Sequence, residues 1–335
     1  MKELIFPEGY VPKLSLRDTQ RAIKLVKDTF EDTLAEALCL DRVSAPIIVK
    51  SKSGINDDLS GVERKVSFTM QAMEGEAEVV QSLAKWKRMA LYRYGYGVGE
   101  GIYTDMNAIR RDDKADNTHS LFVDQWDWEQ VIAREDRTLS YLKDTVRAIV
   151  RALADTKRRL SMAYPVLQSR VCEDVFFVTA EELLAMYPDL TGKEREDAVA
   201  REHGTVFLMQ IGLPLSNGEP HDSRAPDYDD WTLNGDLLVW DELLGHALEL
   251  SSMGIRVDSA AMDRQLRAAK ADARRDFPYH SMILRDELPL SIGGGIGQSR
   301  ICMFLLECAH VGEVQCSVWP DDMIKSCAEH GIHLL

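Results

Sequence analysis

Residues 121–129 read Leu-Phe-Val-Asp-Gln-Trp-Asp-Trp-Glu, and the fold reading starts there. At the two-residue period of a β-strand, Leu121, Val123, Gln125, Asp127 and Glu129 share one face, and Phe122, Asp124, Trp126 and Trp128 share the other. Two indoles want a hydrophobic layer behind them. An amide and two carboxylates on the opposite face need polar partners, because burying them alone is costly. The stretch therefore reads as a sheet strand with a core on one side and a polar site on the other.

Working outward, residues 15–40 read as a long amphipathic helix. Ser15 and Asp18 form a capping pattern, and Ile23, Val26, Phe30, Leu34, Ala37 and Leu38 fall on one face. Pro46 forces residues 43–49 out of helix. Val66, Phe68 and Met70 alternate as a strand, and residues 84–92 read as a helix carrying Lys85, Lys87 and Arg88. Residues 138–163, 181–187, 192–203 and 260–276 are helical, with strands at 206–211, 237–240 and 255–257 and a turn at 217–220. Residues 227–230 and 234–236 read as acidic turn material. The run 293–297, Gly-Gly-Gly-Ile-Gly, reads as a glycine-rich stretch feeding an apolar helix over 301–308. There is no internal repeat and no low-complexity linker. We expect a single catalytic domain over 1–335, with residues 1–14 as an N-terminal extension and 165–225 as an insertion within the core.

Across 335 residues, 40 Lys plus Arg against 55 Asp plus Glu leave a net charge of −15. That balance argues against broad binding to nucleic acid, which needs cations in excess. A hydrophobic content of 45% supports a sizeable core. No stretch approaches the roughly 20 apolar residues of a membrane span, and the N-terminus lacks signal-peptide features. The six cysteines lack CxxC spacing, so they read as reduced thiols of a cytoplasmic protein, and a zinc site is not expected.

Neither a P-loop nor GxGxxG is present. The glycine run ending in Arg300 suits close approach to a planar ligand, an anion at a helix start and a guanidinium fork. A packing turn with a solvated Arg300 is the alternative. Asp236 and Glu249 are carboxylates able to hold Mg²⁺, and Arg256 suits a substrate carboxylate. An ion pair between Glu249 and Arg256 across a turn is the alternative there. Lys85 and Lys87, two apart on a helix, cannot both point into one pocket, and solvated lysines are the bland reading. Residues 57–61 read as a loop with a helix cap, and His119 as a structural histidine.

Eight strings in order carry a resemblance: DDLSG (57–61), SLAKWKR (82–88), GEGIYTDM (99–106), VDQWDWE (123–129), APDYDDW (225–231), LNGDLLVW (233–240), ELSSMGIRVD (249–258) and GGGIGQSR (293–300). The chain resembles the ammonia-dependent asparagine synthetase family. That resemblance implies an α/β (α+β) fold, a class II aminoacyl-tRNA synthetase-like core with a mostly antiparallel sheet flanked by helices. It implies formation of asparagine from aspartate, ATP and ammonia through β-aspartyl-AMP, with release of AMP and pyrophosphate.

The resemblance also implies residue roles. Lys87, Arg110, Gln125 and Arg300 would be catalytic, with Lys87 near the reacting carboxylate. Asp57, Ser82, Gln125, Asp127, Tyr228, Asp229, Ser251 and Arg256 would bind aspartate or asparagine. Arg110, Leu121, Val123, Glu249, Ser252, Gly295, Gly297 and Arg300 would bind ATP or AMP, and Asp236 and Glu249 would hold Mg²⁺. The first helix would form a homodimer. Either Asp57 or Asp229 would take the ammonium proton. The sequence departs from the family pattern at Gln81, where a histidine is expected. A tRNA-charging enzyme is disfavoured, because the core-like part begins at residue 15 and leaves no room for an anticodon-binding domain. A silent paralogue with a regulatory or other amino-acid-activating role is the alternative, and the presence of Arg110, Arg300, Asp236 and Glu249 argues against it. Glutamine as nitrogen donor is disfavoured, since the first cysteine is Cys39.

Overall fold

The computed structural model describes residues 4–57, 59 and 63–335. In chain order the elements are α1 (Leu16–Leu38), β1 (Leu40–Arg42), β2 (Ile48–Lys50), β3 (Ser67–Met70), β4 (Met73–Val79), α2 (Ala84–Tyr94), β5 (Gly101–Ile109), β6 (Phe122–Val131) and α3 (Leu139–Ala163). There follow β7 (Phe176–Thr179), α4 (Ala180–Met186), α5 (Gly192–His203), β8 (Thr205–Met209), β9 (Asp229–Asp241), β10 (His246–Arg256), α6 (Ser259–Ala268), α7 (Pro278–Leu284), β11 (Ser291–Gly297), α8 (Gln298–Leu306) and α9 (Asp321–Glu329).

Eight strands form one sheet in the order β1-β5-β6-β11-β10-β9-β8-β7. The outer pairs, β1 with β5 and β7 with β8, are parallel, and every pairing between β5 and β8 is antiparallel. The mostly antiparallel sheet flanked by helices is the expected class II synthetase-like architecture. Strands β2, β4 and β3 make a smaller sheet.

Helix α1 starts as its sequence dictates: the Ser15 hydroxyl accepts from the Asp18 N–H at 3.2 Å. It buries Ala22, Val26, Phe30, Leu34 and Leu38. Phe30 meets Trp126 of β6 with ring centroids 4.7 Å apart. Trp126 and Trp128 are both fully buried in the main core with residues of α1 and α3. Each buried indole removes roughly 150–250 Å² from water, so this face of β6 anchors both long helices. Strands β7 and β8 with α4 and α5, all from residues 165–225, build a smaller core that reaches Leu238 and Ala247 of the main sheet.

Several local expectations fail. Of the residues read as turns, Asp227 and Tyr228 do turn, but Asp229, Asp230 and 234–236 belong to β9, and residues 255–256 of the strand read at 255–257 end the eleven-residue β10. The aspartates there are paired within the fold, so acidity did not mean solvent. The glycine run is strand β11, not a turn. A Cβ at Gly294 would sit 2.5 Å from Met253 Cβ, and one at Gly293 would sit 2.6 Å from the Trp128 carbonyl. Glycine is required there by packing between β6 and β10. The helix read over 260–276 is α6 only, ending at Ala268, followed by a separate 3₁₀ turn at Asp272–Asp276.

Candidate active site

The polar face of β6 meets its partners on helices and strands far away in sequence. The Arg256 guanidinium, at the end of β10, donates to Glu129 Oε1 and Oε2 at 3.0 Å from Nε and to Oε2 at 2.7 Å from Nη2. It also pairs with Asp229 at the start of β9. The Lys87 ammonium on α2 binds Asp127 and donates to the Gly294 carbonyl at 2.9 Å, with Glu129 3.9 Å away. Ser291 donates to Glu129 at 2.7 Å. Burial alone would raise the Glu129 pKa, but Arg256, Lys87 and Ser291 hold it below the usual carboxylate range. Burial pushes Asp229 up, against the pull of Arg256. The alternative pairing of Glu249 with Arg256 does not occur, because the two residues lie along one extended strand.

Beside this charged floor opens a cavity of about 610 Å³. Arg110, Val123, Gln125, Tyr228, Glu249, Ser252, Gly295, Gly297 and Arg300 all line it. Arg110 has its N–H bonded to the Leu121 carbonyl at 2.9 Å, while its side-chain Nε is buried without a partner. Arg300 donates to the Glu249 carbonyl at 2.9 Å, and its guanidinium lies 3.8 Å from the Glu249 carboxylate. Glycine matters chemically at Gly295, where a Cβ would lie 2.4 Å from Gln125 Oε1. The bare strand leaves the Gln125 amide its space.

The other expected residues are placed differently. Leu121 holds Arg110 through its backbone and does not line the cavity. Ser82 precedes α2 and accepts from the Ala84 N–H at 3.2 Å. Ser251 is buried with its hydroxyl unpartnered. Asp236 is buried against Arg224, and its Oδ1 has no partner. Burial pushes the Asp236 carboxyl up to about 7, Glu249 adding to that and Arg224 opposing it. Asp57 sits apart from the floor, in a buried cluster with Lys85 and Asp227. Asp58, Ser60 and Gly61 of the capping expectation lie outside the described residues.

Sequence reasoning missed Lys85, His119 and Arg224. Lys85 and Lys87 are both buried, so the solvated reading fails for each. Their positions two apart on α2 send one to the β6 carboxylates and the other to Asp227. His119 lines the cavity and is steadied by Asp116 at 2.8 Å from its Nδ1. Arg224 lines it too, tethered at 2.7 Å to Asp222. As lone residues in polar loops they carried no pattern that a sequence reading detects.

For a divalent cation, the donors available are Asp236 and Glu249. Among the described residues no cluster of three or more His, Cys, Asp or Glu side chains forms a closed metal cage. Glu249 lines the cavity, whereas Asp236 lies behind it, bound to Arg224 and with one orphaned buried oxygen; such a pair fits Mg²⁺, which takes one or two protein carboxylates and completes its shell with phosphates and water.

Known proteins match this architecture. Asparaginyl-tRNA synthetase from Entamoeba histolytica, in complex with asparaginyl-adenylate, is similar with a TM-score of 0.63 at 15% identity, over 90% of this chain and 66% of that one. The Pyrococcus horikoshii asparaginyl-tRNA synthetase complexed with asparaginyl-adenylate gives 0.63 at 17% identity, over 96% of this chain and 77% of that one. At such identities the likeness speaks to the fold alone. Aspartate–ammonia ligase of Clostridium perfringens is 56% identical over all of both chains, and that of Levilactobacillus brevis is 54% identical over 99% of each. The family described as aspartate-ammonia ligase matches residues 17–331. With that span matched and full-length relatives this similar, the chain belongs to the aspartate–ammonia ligase family of carbon–nitrogen ligases.

Proposed function

We propose that the chain makes asparagine from aspartate, ATP and ammonia through a β-aspartyl-adenylate, releasing AMP and pyrophosphate. The observation that carries this reading is the joining of two anion sites: a cavity flanked by Arg110 and Arg300, and a floor in which cations and carboxylates alternate. The zwitterionic end of aspartate suits the floor, with its carboxylate on Lys87 and Arg256 and its ammonium on Asp127 and Asp229. The β-carboxylate is then directed toward Arg110 and Gln125. On this reading Lys87, which binds Asp127 and the Gly294 carbonyl, serves the α-carboxylate end of the substrate.

Two anions must meet for the carboxylate to attack the α-phosphorus. Arg110, with its unpartnered Nε, suits the oxygens of the reacting carboxylate and α-phosphate, and Arg300 suits the far phosphates. The glycine backbone at 295 and 297 leaves room for the nucleotide. Asp236 and Glu249 would hold Mg²⁺, which supplies charge neutralisation to the polyphosphate.

Of the two carboxylates considered for ammonium, Asp57 is the better fitted. Asp229 is already bound by Arg256, whereas Asp57 Oδ2 has no partner among the described residues. The enzyme would work as a homodimer in the cytoplasm. Mass detection of products with aspartate, ATP, Mg²⁺ and either ammonium or glutamine tests the reading. Asparagine and AMP should form with ammonium. Formation of ADP in place of AMP, or charging of tRNA, would overturn it.

A further inference from the structure

The glycine run suggests an anion at the start of α8, and a carboxylate of the protein already occupies that place. Gly297, the residue ahead of the helix, has no side chain with which to cap it. The second N–H of α8, on Ser299, donates instead to Asp124 Oδ1 of β6 at 3.1 Å, across 175 positions of chain. The Ser299 hydroxyl donates to Asp124 Oδ2 at 2.8 Å. Gln315, beyond α8, donates from its amide nitrogen to Asp124 Oδ1 at 3.1 Å and to the Ser299 hydroxyl at 3.0 Å. The Lys27 ammonium of α1 completes the set, 3.2 Å from Asp124 Oδ2.

Asp124 shares the face of β6 that carries Trp126 and Trp128, where a charge is costly unless it is paired. It is 7% exposed, and each of its oxygens accepts two hydrogen bonds. Asp124, Ser299 and Gln315 also line the main cavity. A negative charge in the wall of a polyphosphate site works against the ligand, so helix capping alone is a poor reason for it; a neutral asparagine caps equally well. What a carboxylate adds is a second acceptor oxygen, which lets one side chain clamp both the backbone and the hydroxyl of Ser299. The next residue is Arg300. Its guanidinium reaches the Thr118 carbonyl at 3.4 Å and the Glu249 carbonyl at 2.9 Å. Those bonds steady the tip of the side chain, and the clamp on Ser299 steadies its root.

We propose that Asp124 is a positioning residue: by clamping Ser299 it fixes the first turn of α8 and sets the reach of Arg300 toward the far phosphates of ATP. The proposal rests on the reading of Arg300 given above and deepens it. Lys27 offsets the charge that the clamp brings to the cavity wall. Asp124 acts on the nucleotide through Arg300, so its loss is felt by ligands that carry the far phosphates and not by those that lack them.

Calorimetric titration with ATP and with AMP, in Mg²⁺ and without aspartate, reads this split before any chemistry occurs. Asp124→Ala should weaken ATP about tenfold or more, the size of one charged hydrogen bond to the ligand, and AMP by less than about twofold. Removing a negative charge from the wall would by itself tighten ATP, so weaker binding reports lost placement. Asp124→Asn, which keeps one acceptor oxygen, should fall between the two. Adding Asp124→Ala to Arg300→Ala should cost ATP binding nothing further, because the group being positioned is gone. Equal losses for ATP and AMP, unchanged or tighter ATP binding, or additive losses in the double variant overturn the proposal. Should Asp124→Ala fail to fold, Ser299→Ala, which removes the hydroxyl half of the clamp, decides by the same split. An Arg300→Ala variant that binds ATP like the wild type would instead overturn the phosphate reading of Arg300 itself.

Discussion

The two faces of β6 are stabilised by opposite physics. One face buries Trp126 and Trp128 against α1 and α3, where shape decides, and carries a single charge, Asp124, bound by Lys27, Ser299 and Gln315. The other buries Asp127 and Glu129, which are held by Lys87 and Arg256. The apolar face tolerates any partner of the right volume. The polar face tolerates almost none, since each charge is compensated by a named group. The lesson is that the same strand serves stability through one side and chemistry through the other, and the two sides should fail differently.

The largest expected effect comes from breaking the polar face. Arg256→Met leaves Asp229 buried without its cation and Glu129 with only Lys87 and Ser291, which should cost about 3–5 kcal/mol by denaturant unfolding and abolish adenylate formation. Retention of both would show that the floor is not a coupled network. Next, Trp128→Ala empties the apolar face and should also cost about 3–5 kcal/mol, yet leave the KM for aspartate unchanged wherever the protein is folded. A large KM change would mean the two faces are not separable.

A single-function test sharpens the contrast. If the proposed function holds, Arg110→Ala removes a cavity donor that meets the reacting groups, so kcat should fall about 10²–10³-fold with little change in melting temperature. An equal loss in stability would assign Arg110 to the scaffold.

On the apolar side, His310 is enclosed near Trp319, with the Gly312 N–H donating to its Nδ1 at 3.0 Å. Burial pushes its pKa down to about 4, from an ordinary value of 6.5. Between those values the unfolded chain binds more protons than the folded one. Stability should therefore fall as pH drops from about 6.5 to about 4, by about 3 kcal/mol from this residue. Unfolding curves of His310→Asn should lack that part of the slope, and an unaltered slope would refute the assignment.

The smallest effect is expected at Gly295→Ala. The new methyl meets the movable Gln125 amide, so the stability cost should stay within about 1–3 kcal/mol while the KM for aspartate rises. Unchanged kinetics would remove Gln125 from the substrate's surroundings.

Much of this was legible before any coordinates. The period of two separated the faces of β6, and the period of 3.6 drew α1, α3 and α5 within a residue or two. The same logic failed at β9, where Asp229, Asp230 and Asn234 to Asp236 imitate turn composition while being held by Arg137, Arg256 and backbone groups. It failed again at the glycines of β11, whose reason is the bulk of β6 and β10 on either side. Among the candidate site residues, Arg110, Gln125, Glu249 and Arg300 meet in one cavity, whereas Leu121 and Ser82 do not line it and bond to the backbone of Arg110 and Ala84.

By itself the sequence determined what is local: which residues alternate, where helices begin, and which side chains carry charge. Only the tertiary structure decided which charges answer one another. Arg256 meets Glu129 across 127 positions of chain, and Lys85 and Lys87, two positions apart, meet different carboxylates. Periodicity reports the direction of a side chain from its own element. The partner waiting there is set by how the elements pack, and a buried charge takes its chemistry from that partner.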